Sequence, residues 1–326
     1  MAPNIKKLLL PQTMAEAGWA LVERREDVEG VPYEIGMPIP GFHALLADAS
    51  GVALSVTPFG ENELDAGPRL DAVARIGVGY DAVDVPALSR RKIPLLIAGT
   101  ANSVSVAEAG VFLLMSLARR GAAMDSMVRE GRWSERYAEM PVDLYGRTAL
   151  VIGFGKIGTR AAKRLAAMEM TVLVYDPYIY PETIRGMGYE PVGELDEAVG
   201  RADFITIHCP KTHETVGLFD RARLARMKKS AFLVNTARGG IVDEKALYEA
   251  LKDNRIAGAA LDVFEKEPTP TDNPLLTLKN FIAAPHVAGV TREAVDRMAI
   301  VTVQNLLSVL DGKPNRGNVV NKEVLG

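Results

Sequence analysis

The sequence predicts an α/β protein of two domains, each a parallel β-sheet with helices on both faces. Short apolar segments alternate with helix-like segments along most of the 326 residues. A glycine-rich turn of the kind that follows a strand begins only at Gly153, so a substantial part of the chain precedes it. Alternating strands and helices favour a doubly wound parallel sheet, and a chain of this length can hold two such domains.

The strands are predicted where short apolar runs recur at the spacing of βα units. Within the first hundred residues, these runs cover residues 7–11, 53–56, 72–76 and 94–97. Beyond the glycine turn, they cover residues 148–153, 171–175, 204–208, 231–235, 257–261 and 281–284.

Three further segments complete the predicted organisation. Residues 105–120 are apolar nearly all round, which predicts a helix buried against its domain or a partner subunit. A polar, arm-like connection follows over residues 121–147, and an amphipathic helix over residues 291–310 comes last. We expect no further regulatory domain beyond residue 326.

Composition excludes several classes of protein. The net charge of −3 argues against general binding to nucleic acid or to anionic membranes. The single cysteine, Cys209, excludes an intramolecular disulfide framework and a cysteine-based metal cluster, and we expect no metal. The first apolar run is too short for a signal peptide, and no window reaches the length of a membrane span. We therefore expect a cytoplasmic location.

The segment around Gly153 carries a dinucleotide-binding pattern: a strand, a Gly-x-Gly-x-x-Gly turn, a helix, and a second strand that ends in an acid. Gly153 allows the tight turn, and Gly155 lets the backbone approach a pyrophosphate at the helix N-terminus. Gly158 lets the helix pack closely on the strand. Asp176 would accept hydrogen bonds from the adenosine ribose diol, so it favours NAD over NADP, whose 2′-phosphate would meet a negative charge.

The position of this pattern indicates an inserted domain. Strands precede it, and a long helix follows its last strand, so that helix could return to the first domain. The chain would then cross between domains near residues 101 and 290. A cleft between two domains is a common place for a ligand.

Three charged residues follow strands of the second predicted sheet, and ligands bind at that edge of open α/β sheets: Arg238, Glu267 and His286. Together they suggest hydride transfer to a 2-oxo acid. His286 would donate a proton to the developing alkoxide, and Glu267 would orient the imidazole and favour its charged form. Arg238 would hold the substrate carboxylate.

Taken singly, each of these residues also has an ordinary structural explanation. A histidine is more often structural or exposed than catalytic, Arg238 could cap a helix, and Glu267 before a proline could be a solvated turn residue. A further glycine cluster at residues 75–84 could form an anion-binding concavity or simply a turn with positive φ.

In these residues the chain resembles the D-2-hydroxyacid dehydrogenase family, which contains phosphoglycerate dehydrogenase and glyoxylate/hydroxypyruvate reductase. The likeness covers residues 40–320. It rests on ordered blocks at residues 77–81, 102–108, 153–158, 208–210 with Thr212 and Thr215, 235–240, 261–268 and 285–289.

The resemblance implies a catalytic triad of Arg238, Glu267 and His286. It implies a Rossmann NAD-binding domain (residues 102–289) inserted into a flavodoxin-like substrate domain (residues 1–101 and 290–326). It also implies a homodimer formed through residues 104–147. Residues implied to touch ligands are Val78 and Gly79 at the substrate carboxylate, Asp262 at the nicotinamide carboxamide, and Lys156, Ile157, Pro210, Thr215 and Thr236 along the cofactor.

Departures from the family pattern bear on the substrate. Leu54 stands where phosphoglycerate dehydrogenases have a substrate-facing arginine, and Ala109 stands where relatives carry larger residues. A phosphate without a basic partner would bind poorly, so we expect a small unphosphorylated 2-oxo acid, hydroxypyruvate or glyoxylate. Glu267 argues against formate dehydrogenase, which pairs its histidine with glutamine.

Three alternatives stay open at this point. The first is a D-3-phosphoglycerate dehydrogenase. The second is a non-enzymatic, NAD-sensing binding protein of the same fold, which the intact triad disfavours. The third is a Rossmann enzyme of another class, such as a methyltransferase, which the glycine spacing and the residues around His286 disfavour.

Overall fold

The computed structural model describes residues 5–138 and 140–326. The chain folds into two compact units: the first is Met1–Asn102 with Val290–Gly326, and the second is Ser103–Gly289. The predicted domain boundaries at 101/102 and 289/290 lie within one residue of these divisions. Residues 1–4 of the predicted first domain and residue 139 of the predicted dimer segment lie outside the described residues.

The first unit contains a five-stranded parallel sheet with the order β2-β1-β3-β4-β5. This is the flavodoxin-like order of doubly wound folds. Its strands are β1 (Lys6–Pro11), β2 (Val28–Tyr33), β3 (Gly51–Leu54), β4 (Ala72–Arg75) and β5 (Leu95–Ile97). Its helices are α1 (Glu16–Val22), α2 (Ile39–Leu46), α3 (Glu61–Ala66) and α4 (Val85–Arg90), and the long helix near residue 300 joins them.

Strand β2 is absent from the sequence prediction. It contains a glycine and a proline, it lies at the edge of the sheet, and its middle residues are only partly buried. A strand of this kind carries no continuous apolar run, because only a sheet interior requires one.

The long helix from the end of the chain packs in the first unit. It spans α12 (Arg292–Leu310), and the hydroxyl of Thr291 caps it by accepting a hydrogen bond from the Ala294 amide at 3.1 Å. Its residues Val303 and Leu306 are fully buried. The Asn305 amide group donates to the Ile97 carbonyl at 2.8 Å, which ties the helix to the end of β5. The segment after residue 290 therefore completes the first unit.

The second unit contains a seven-stranded parallel sheet with the order β12-β11-β10-β9-β6-β7-β8. Chain order reverses direction at β6, which lies between β9 and β7. Such a switch point is where open α/β sheets bind ligands. The strands are β6 (Thr148–Ile152), β7 (Thr171–Tyr175), β8 (Glu190–Pro191), β9 (Phe204–Ile207), β10 (Phe232–Asn235), β11 (Gly258–Leu261) and β12 (Phe281–Ala283).

Helices cover both faces of this sheet, with apolar clusters on each side. They are α5 (Ser103–Arg119), α6 (Gly121–Arg129), α7 (Gly158–Ala167), α8 (Pro181–Gly186), α9 (Leu195–Arg201), α10 (Arg221–Leu224) and α11 (Glu244–Lys252). The predicted class of two parallel-sheet α/β domains is confirmed.

The structure refines the predictions for the middle of the chain. The connection over residues 121–147 contains the helix α6 and a 3₁₀ turn at Trp133–Tyr137. Helix α5 is buried in its own unit on one side only, because Phe112 is 66 % and Met115 is 40 % exposed. Burial of this exposed side against a partner subunit stays a prediction. The opposite side of α5 packs in the second unit, with Leu114 fully buried.

None of the helices in the described residues is both long enough and apolar enough to span a membrane.

Candidate functional site

The turn after β6 requires glycine at two positions. Gly153 has φ +87°, and a Cβ there would lie 2.6 Å from the backbone nitrogen of Cys209. Gly158 is the first residue of α7, and a Cβ there would lie 1.8 Å from the Gly153 carbonyl oxygen. Gly155 has no atom within 4 Å of its Cβ position, so the space in front of the turn is open. Lys156 and Ile157 complete the turn into the helix.

Asp176 lies directly after β7 and is hydrogen-bonded to the glycine turn. One carboxylate oxygen accepts from the Phe154 amide at 2.7 Å, and the other accepts from the Tyr178 amide at 2.9 Å. Each oxygen keeps a second lone pair. The acid is therefore held beside the turn while it retains acceptor capacity for a ribose hydroxyl.

The loop after β9 is closed by its own threonines. The Thr215 hydroxyl donates to the Pro210 carbonyl at 2.6 Å and accepts from the Thr212 amide at 2.7 Å. This loop follows the strand next to β6, so Pro210 and Thr215 lie at the same sheet edge as the glycine turn.

His286 and Glu267 form a hydrogen-bonded pair. The imidazole Nδ1 lies 2.7 Å from Glu267 Oε2, and Glu267 Oε1 accepts from the Phe264 amide at 2.9 Å. The side chains are 51 % and 37 % exposed. Because Glu267 is held by the backbone and in turn holds Nδ1, the other ring nitrogen, Nε2, is the one available to a ligand.

Asp262 determines the backbone path of the loop that carries His286. Its buried carboxylate accepts hydrogen bonds from the amides of Val287 and Ala288, both at 2.8 Å. His286 has φ +55°, a conformation that non-glycine residues rarely adopt. Burial raises the pKa of Asp262, and the two amide hydrogen bonds oppose that rise. The sequence indicates Asp262 only as a contact of the cofactor and does not reveal this positioning role.

Arg238 follows β10 in a loop that Asn235 organises. The buried Asn235 side chain accepts from the Ala237 amide at 2.9 Å and donates to the Arg238 carbonyl at 2.8 Å. The next residue, Gly239, lies so close to the loop after β11 that a Cβ would come within 1.7 Å of the Phe264 carbonyl oxygen. The loops that carry Arg238 and Glu267 are thus in direct backbone contact. Asn235 belongs to one of the sequence blocks of the family, but its side-chain role cannot be deduced from the pattern.

His208 is a partly buried histidine in the same unit. Its Nε2 lies 2.9 Å from the Thr206 hydroxyl, whereas Nδ1 is buried with no hydrogen-bond partner. Burial lowers the pKa of His208 to about 4. It is therefore neutral near pH 7 and has no proton to release from an imidazolium. The buried hydroxyl of Thr236, a predicted cofactor contact, also lacks a hydrogen-bond partner.

The remaining histidines have other surroundings. His43, in the first unit, lies 3.3 Å from Glu63, and His213 is a 92 % exposed surface side chain. At the carboxyl edge of the seven-stranded sheet, His286 has a carboxylate at hydrogen-bond distance, whereas the carboxylate next to His213 lies 4.0 Å away. Within the described residues, no group of histidine, cysteine and acidic side chains is arranged to hold a metal.

Val78 and Gly79 lie in the first unit, in the segment after β4. Gly77, just before them, has φ +116°, and its carbonyl accepts from the Ala98 amide at 2.8 Å. The guanidinium of Arg75 donates to the carbonyls of Leu54 and Ile76. The turn that presents the amides of Val78 and Gly79 is therefore braced from β3 and β5.

Leu54, which stands where phosphoglycerate dehydrogenases have an arginine, lies at the end of β3. Its side chain is fully buried in the core of the first unit, in a cluster that includes Phe59 and Leu95. A leucine at the end of β3 packs inward because its side chain is apolar. Leu54 therefore offers no side-chain group to a ligand, and the basic group that an arginine would supply at this position is absent.

Comparison with known proteins identifies relatives along most of the chain. Residues 111–288 match the family described as "D-isomer specific 2-hydroxyacid dehydrogenase, NAD binding domain". The D-3-phosphoglycerate dehydrogenase of Archaeoglobus fulgidus is 40 % identical over 288 residues, which are 88 % of this chain and 53 % of that protein. The chain thus spans about half the length of the phosphoglycerate dehydrogenases that it matches.

Two other relatives match over most of their own length. The glyoxylate reductase of Korarchaeum cryptofilum is 40 % identical over 277 residues, covering 84 % of this chain and 83 % of that protein. The crystal structure of D-lactate dehydrogenase from Aquifex aeolicus, complexed with NAD and lactic acid, has a TM-score of 0.86 at 28 % identity. That alignment covers 98 % of this chain and 99 % of the other. The family resemblance seen in the sequence is confirmed.

Two glycine variants separate folding from cofactor binding. We expect Gly158→Ala to destabilise the protein by about 3 kcal/mol, because its Cβ overlaps the Gly153 carbonyl. Gly155→Ala has open space and should change stability by less than about 0.5 kcal/mol. It should nevertheless weaken NADH binding at least roughly tenfold, because the methyl group occupies the approach to the pyrophosphate. Urea unfolding and NADH fluorescence titration measure the two effects, and full NADH affinity in Gly155→Ala would contradict this interpretation of the turn.

Because burial lowers the pKa of His208 to about 4, we expect the stability of the protein to depend on pH. Below pH 6.5 the unfolded chain takes up a proton that the folded protein accepts only near pH 4, so stability falls as the pH drops through that window. The contribution reaches at most about 3 kcal/mol at pH 4. Urea unfolding between pH 7 and 4 should show a shallower loss for His208→Gln than for the wild type. The exposed His213→Gln is the control and should follow the wild-type curve.

Proposed function

Because the chain belongs to the D-isomer specific 2-hydroxyacid dehydrogenase family, we propose that it is an NAD-dependent (R)-2-hydroxyacid dehydrogenase. It reversibly reduces a small 2-oxo acid. The observation that carries this proposal is the hydrogen bond of 2.7 Å between His286 Nδ1 and Glu267 Oε2 at the carboxyl edge of the seven-stranded sheet. Carbonyl reduction needs a proton donor beside the hydride acceptor, and a carboxylate-bound imidazole is suited to that task.

His286 is the general acid of the reduction. When bound, the reduced nicotinamide supplies the hydride to the carbonyl carbon. Negative charge then develops on the carbonyl oxygen, and His286 donates the Nε2 proton to it. In the oxidative direction the neutral imidazole accepts the hydroxyl proton. Glu267 stabilises the imidazolium through Nδ1 and prevents rotation of the ring.

Arg238 binds and polarises the substrate. Its guanidinium presents parallel N–H donors that match a carboxylate or a 2-oxo acid, and its loop is braced by Asn235. We assign the substrate carboxylate also to the amides of Val78 and Gly79, with His286 at the carbonyl oxygen. In this proposal main-chain amides bind the substrate carboxylate, and the side chain of His286 transfers the proton.

NAD is held, in this proposal, by the residues at the β6 switch point. The amides at the start of α7 receive the pyrophosphate, and Asp176 receives the ribose diol. The proposed cofactor contacts are Gly153, Gly155, Lys156, Ile157, Gly158, Asp176, Pro210, Thr215, Thr236 and Asp262. The unpartnered hydroxyl of Thr236 fits a contact that only the bound cofactor completes.

The substrate we favour is unphosphorylated, namely hydroxypyruvate or glyoxylate. The support is the absence of an arginine at position 54, together with the glyoxylate reductase relative that aligns over 83 % of its length. D-3-phosphoglycerate is the second candidate, because the D-3-phosphoglycerate dehydrogenase of A. fulgidus has the same 40 % identity to this chain as the glyoxylate reductase.

We further propose a homodimer formed through residues 104–147. The exposed Phe112 and Met115 on α5, with the exposed Trp133 and Tyr137 beyond it, offer an apolar surface of the kind that a partner subunit covers. The cytoplasmic location expected from the sequence is part of the same proposal.

Variants of the His286–Glu267 pair test the chemistry. We expect His286→Asn to lower kcat by at least roughly 10³-fold, because no proton donor remains. Glu267→Gln keeps a hydrogen-bond acceptor for Nδ1 but loses the charge that stabilises the imidazolium, so kcat should fall about tenfold to 100-fold. NADH titration is the control, since neither variant should change the dissociation constant more than about twofold. Wild-type turnover in His286→Asn would refute the assignment.

A substrate panel tests the specificity. With NADH, we expect kcat/KM for glyoxylate or hydroxypyruvate to exceed that for 3-phosphohydroxypyruvate by at least roughly tenfold, since a phosphate would lack its basic partner. The reverse order would select D-3-phosphoglycerate dehydrogenase. Tight NADH binding without turnover of any 2-oxo acid would instead favour a binding protein.

A further inference from the structure

A hydrogen bond joins two loops that lie on either side of the glycine turn. The Tyr178 hydroxyl donates to Glu214 Oε2. Tyr178 follows β7, and Glu214 lies in the loop after β9. In the sheet order, β6 lies between these two strands, and the glycine turn leaves from its carboxyl end. The Tyr178–Glu214 hydrogen bond therefore spans the strand whose turn holds the dinucleotide.

Both ends of this bridge are fixed by neighbouring hydrogen bonds. At one end, the Tyr178 amide donates to Asp176 at 2.9 Å, so the tyrosine is tied to the acid assigned to the ribose. At the other end, the Glu214 amide donates to the Thr212 hydroxyl at 3.2 Å, within the loop that Thr215 closes. The bridge therefore joins two structured turns.

The bridge brings a second carboxylate to the adenosine side of the site. Asp176 is the first negative charge at this edge, and Glu214 adds another that the tyrosine holds in place. Tyr178 is 74 % exposed, so the bridge lies at the protein surface. The hydrogen bond to Glu214 raises the pKa of Tyr178, so the phenol stays a neutral donor across the physiological range. His213 Nε2 lies 4.0 Å from the other Glu214 oxygen, on the solvent side.

We propose that the Tyr178–Glu214 bridge is a second determinant of cofactor specificity, in which Glu214 adds to the repulsion of a 2′-phosphate and Tyr178 keeps that carboxylate at the adenosine site. Asp176 rejects NADP by direct contact. Glu214 acts over a longer distance through its charge, so its effect depends on salt. This inference rests on the proposed role of Asp176 at the ribose.

Direct binding of NADH and NADPH, followed by nucleotide fluorescence, tests the bridge without reference to any substrate. We expect Glu214→Gln to keep the NADH dissociation constant within about twofold of the wild-type value. The ratio of the NADPH to the NADH dissociation constant should fall about threefold at low salt. In about 0.5 M NaCl the ratio of dissociation constants should be the same in Glu214→Gln and the wild type, because salt screens the charge of Glu214. Tyr178→Phe keeps both charges but frees Glu214. It should therefore leave the NADH dissociation constant within about twofold and lower the ratio of the NADPH to the NADH dissociation constant less than Glu214→Gln does.

Glu197→Gln is the matched control, because it removes an exposed carboxylate from α9 in the same unit. Glu197→Gln should leave the ratio of the NADPH to the NADH dissociation constant unchanged. The proposal is wrong if Glu214→Gln leaves this ratio unchanged too. Asp176→Asn separates this inference from the proposed function. If Asp176→Asn leaves the ratio of dissociation constants unchanged, Asp176 does not contact the ribose and the premise of this inference fails. If the wild-type protein binds NADH but reduces no 2-oxo acid, only the proposed enzyme function fails.

Discussion

The candidate site depends on the hydrogen bonds from the amides of Val287 and Ala288 to the buried carboxylate of Asp262. They hold the chain in the turn that gives His286 its positive φ, a conformation that costs on the order of 1–3 kcal/mol. Hydrogen bonds to a charged acceptor contribute about 1.5–3 kcal/mol each, so two of them offset that strain and part of the cost of burying the carboxylate. Without this clamp, the imidazole would not be held against Glu267.

The parallel sheet places the loop that carries His286 next to the other loops of the candidate site. The strands β10, β11 and β12 are neighbours, so the loops after them emerge side by side with Arg238, Glu267 and His286. The close approach of Gly239 to the Phe264 carbonyl locks two of these loops together. The same edge carries the glycine turn and Asp176 farther along the sheet. One sheet edge therefore presents an imidazole–carboxylate pair and a dinucleotide turn, which suits the proposed proton and hydride transfer.

Burial assigns different states to two histidines of this unit. His208 is partly buried and hydrogen-bonds through Nε2 to Thr206, and burial lowers its pKa to about 4, so it stays neutral. His286 is half exposed and shares its Nδ1 with a carboxylate. A neutral, partly buried ring serves as packing. An exposed ring with an acid behind it is suited to proton transfer.

The sequence by itself determined the class of the fold, the dinucleotide turn and the three residues of the proposed triad, because these depend on local patterns. Apolar runs at βα spacing, the Gly-x-Gly-x-x-Gly spacing, and charged residues after the predicted strands are all visible in the sequence. Tertiary structure alone decided the rest. It added the edge strand β2, turned part of the polar connection into α6, and put Leu54 in the core. It also paired Asp262 with the amides after His286 and Tyr178 with Glu214. These contacts join residues that are distant in the chain or depend on which face a side chain occupies, and no local pattern encodes either.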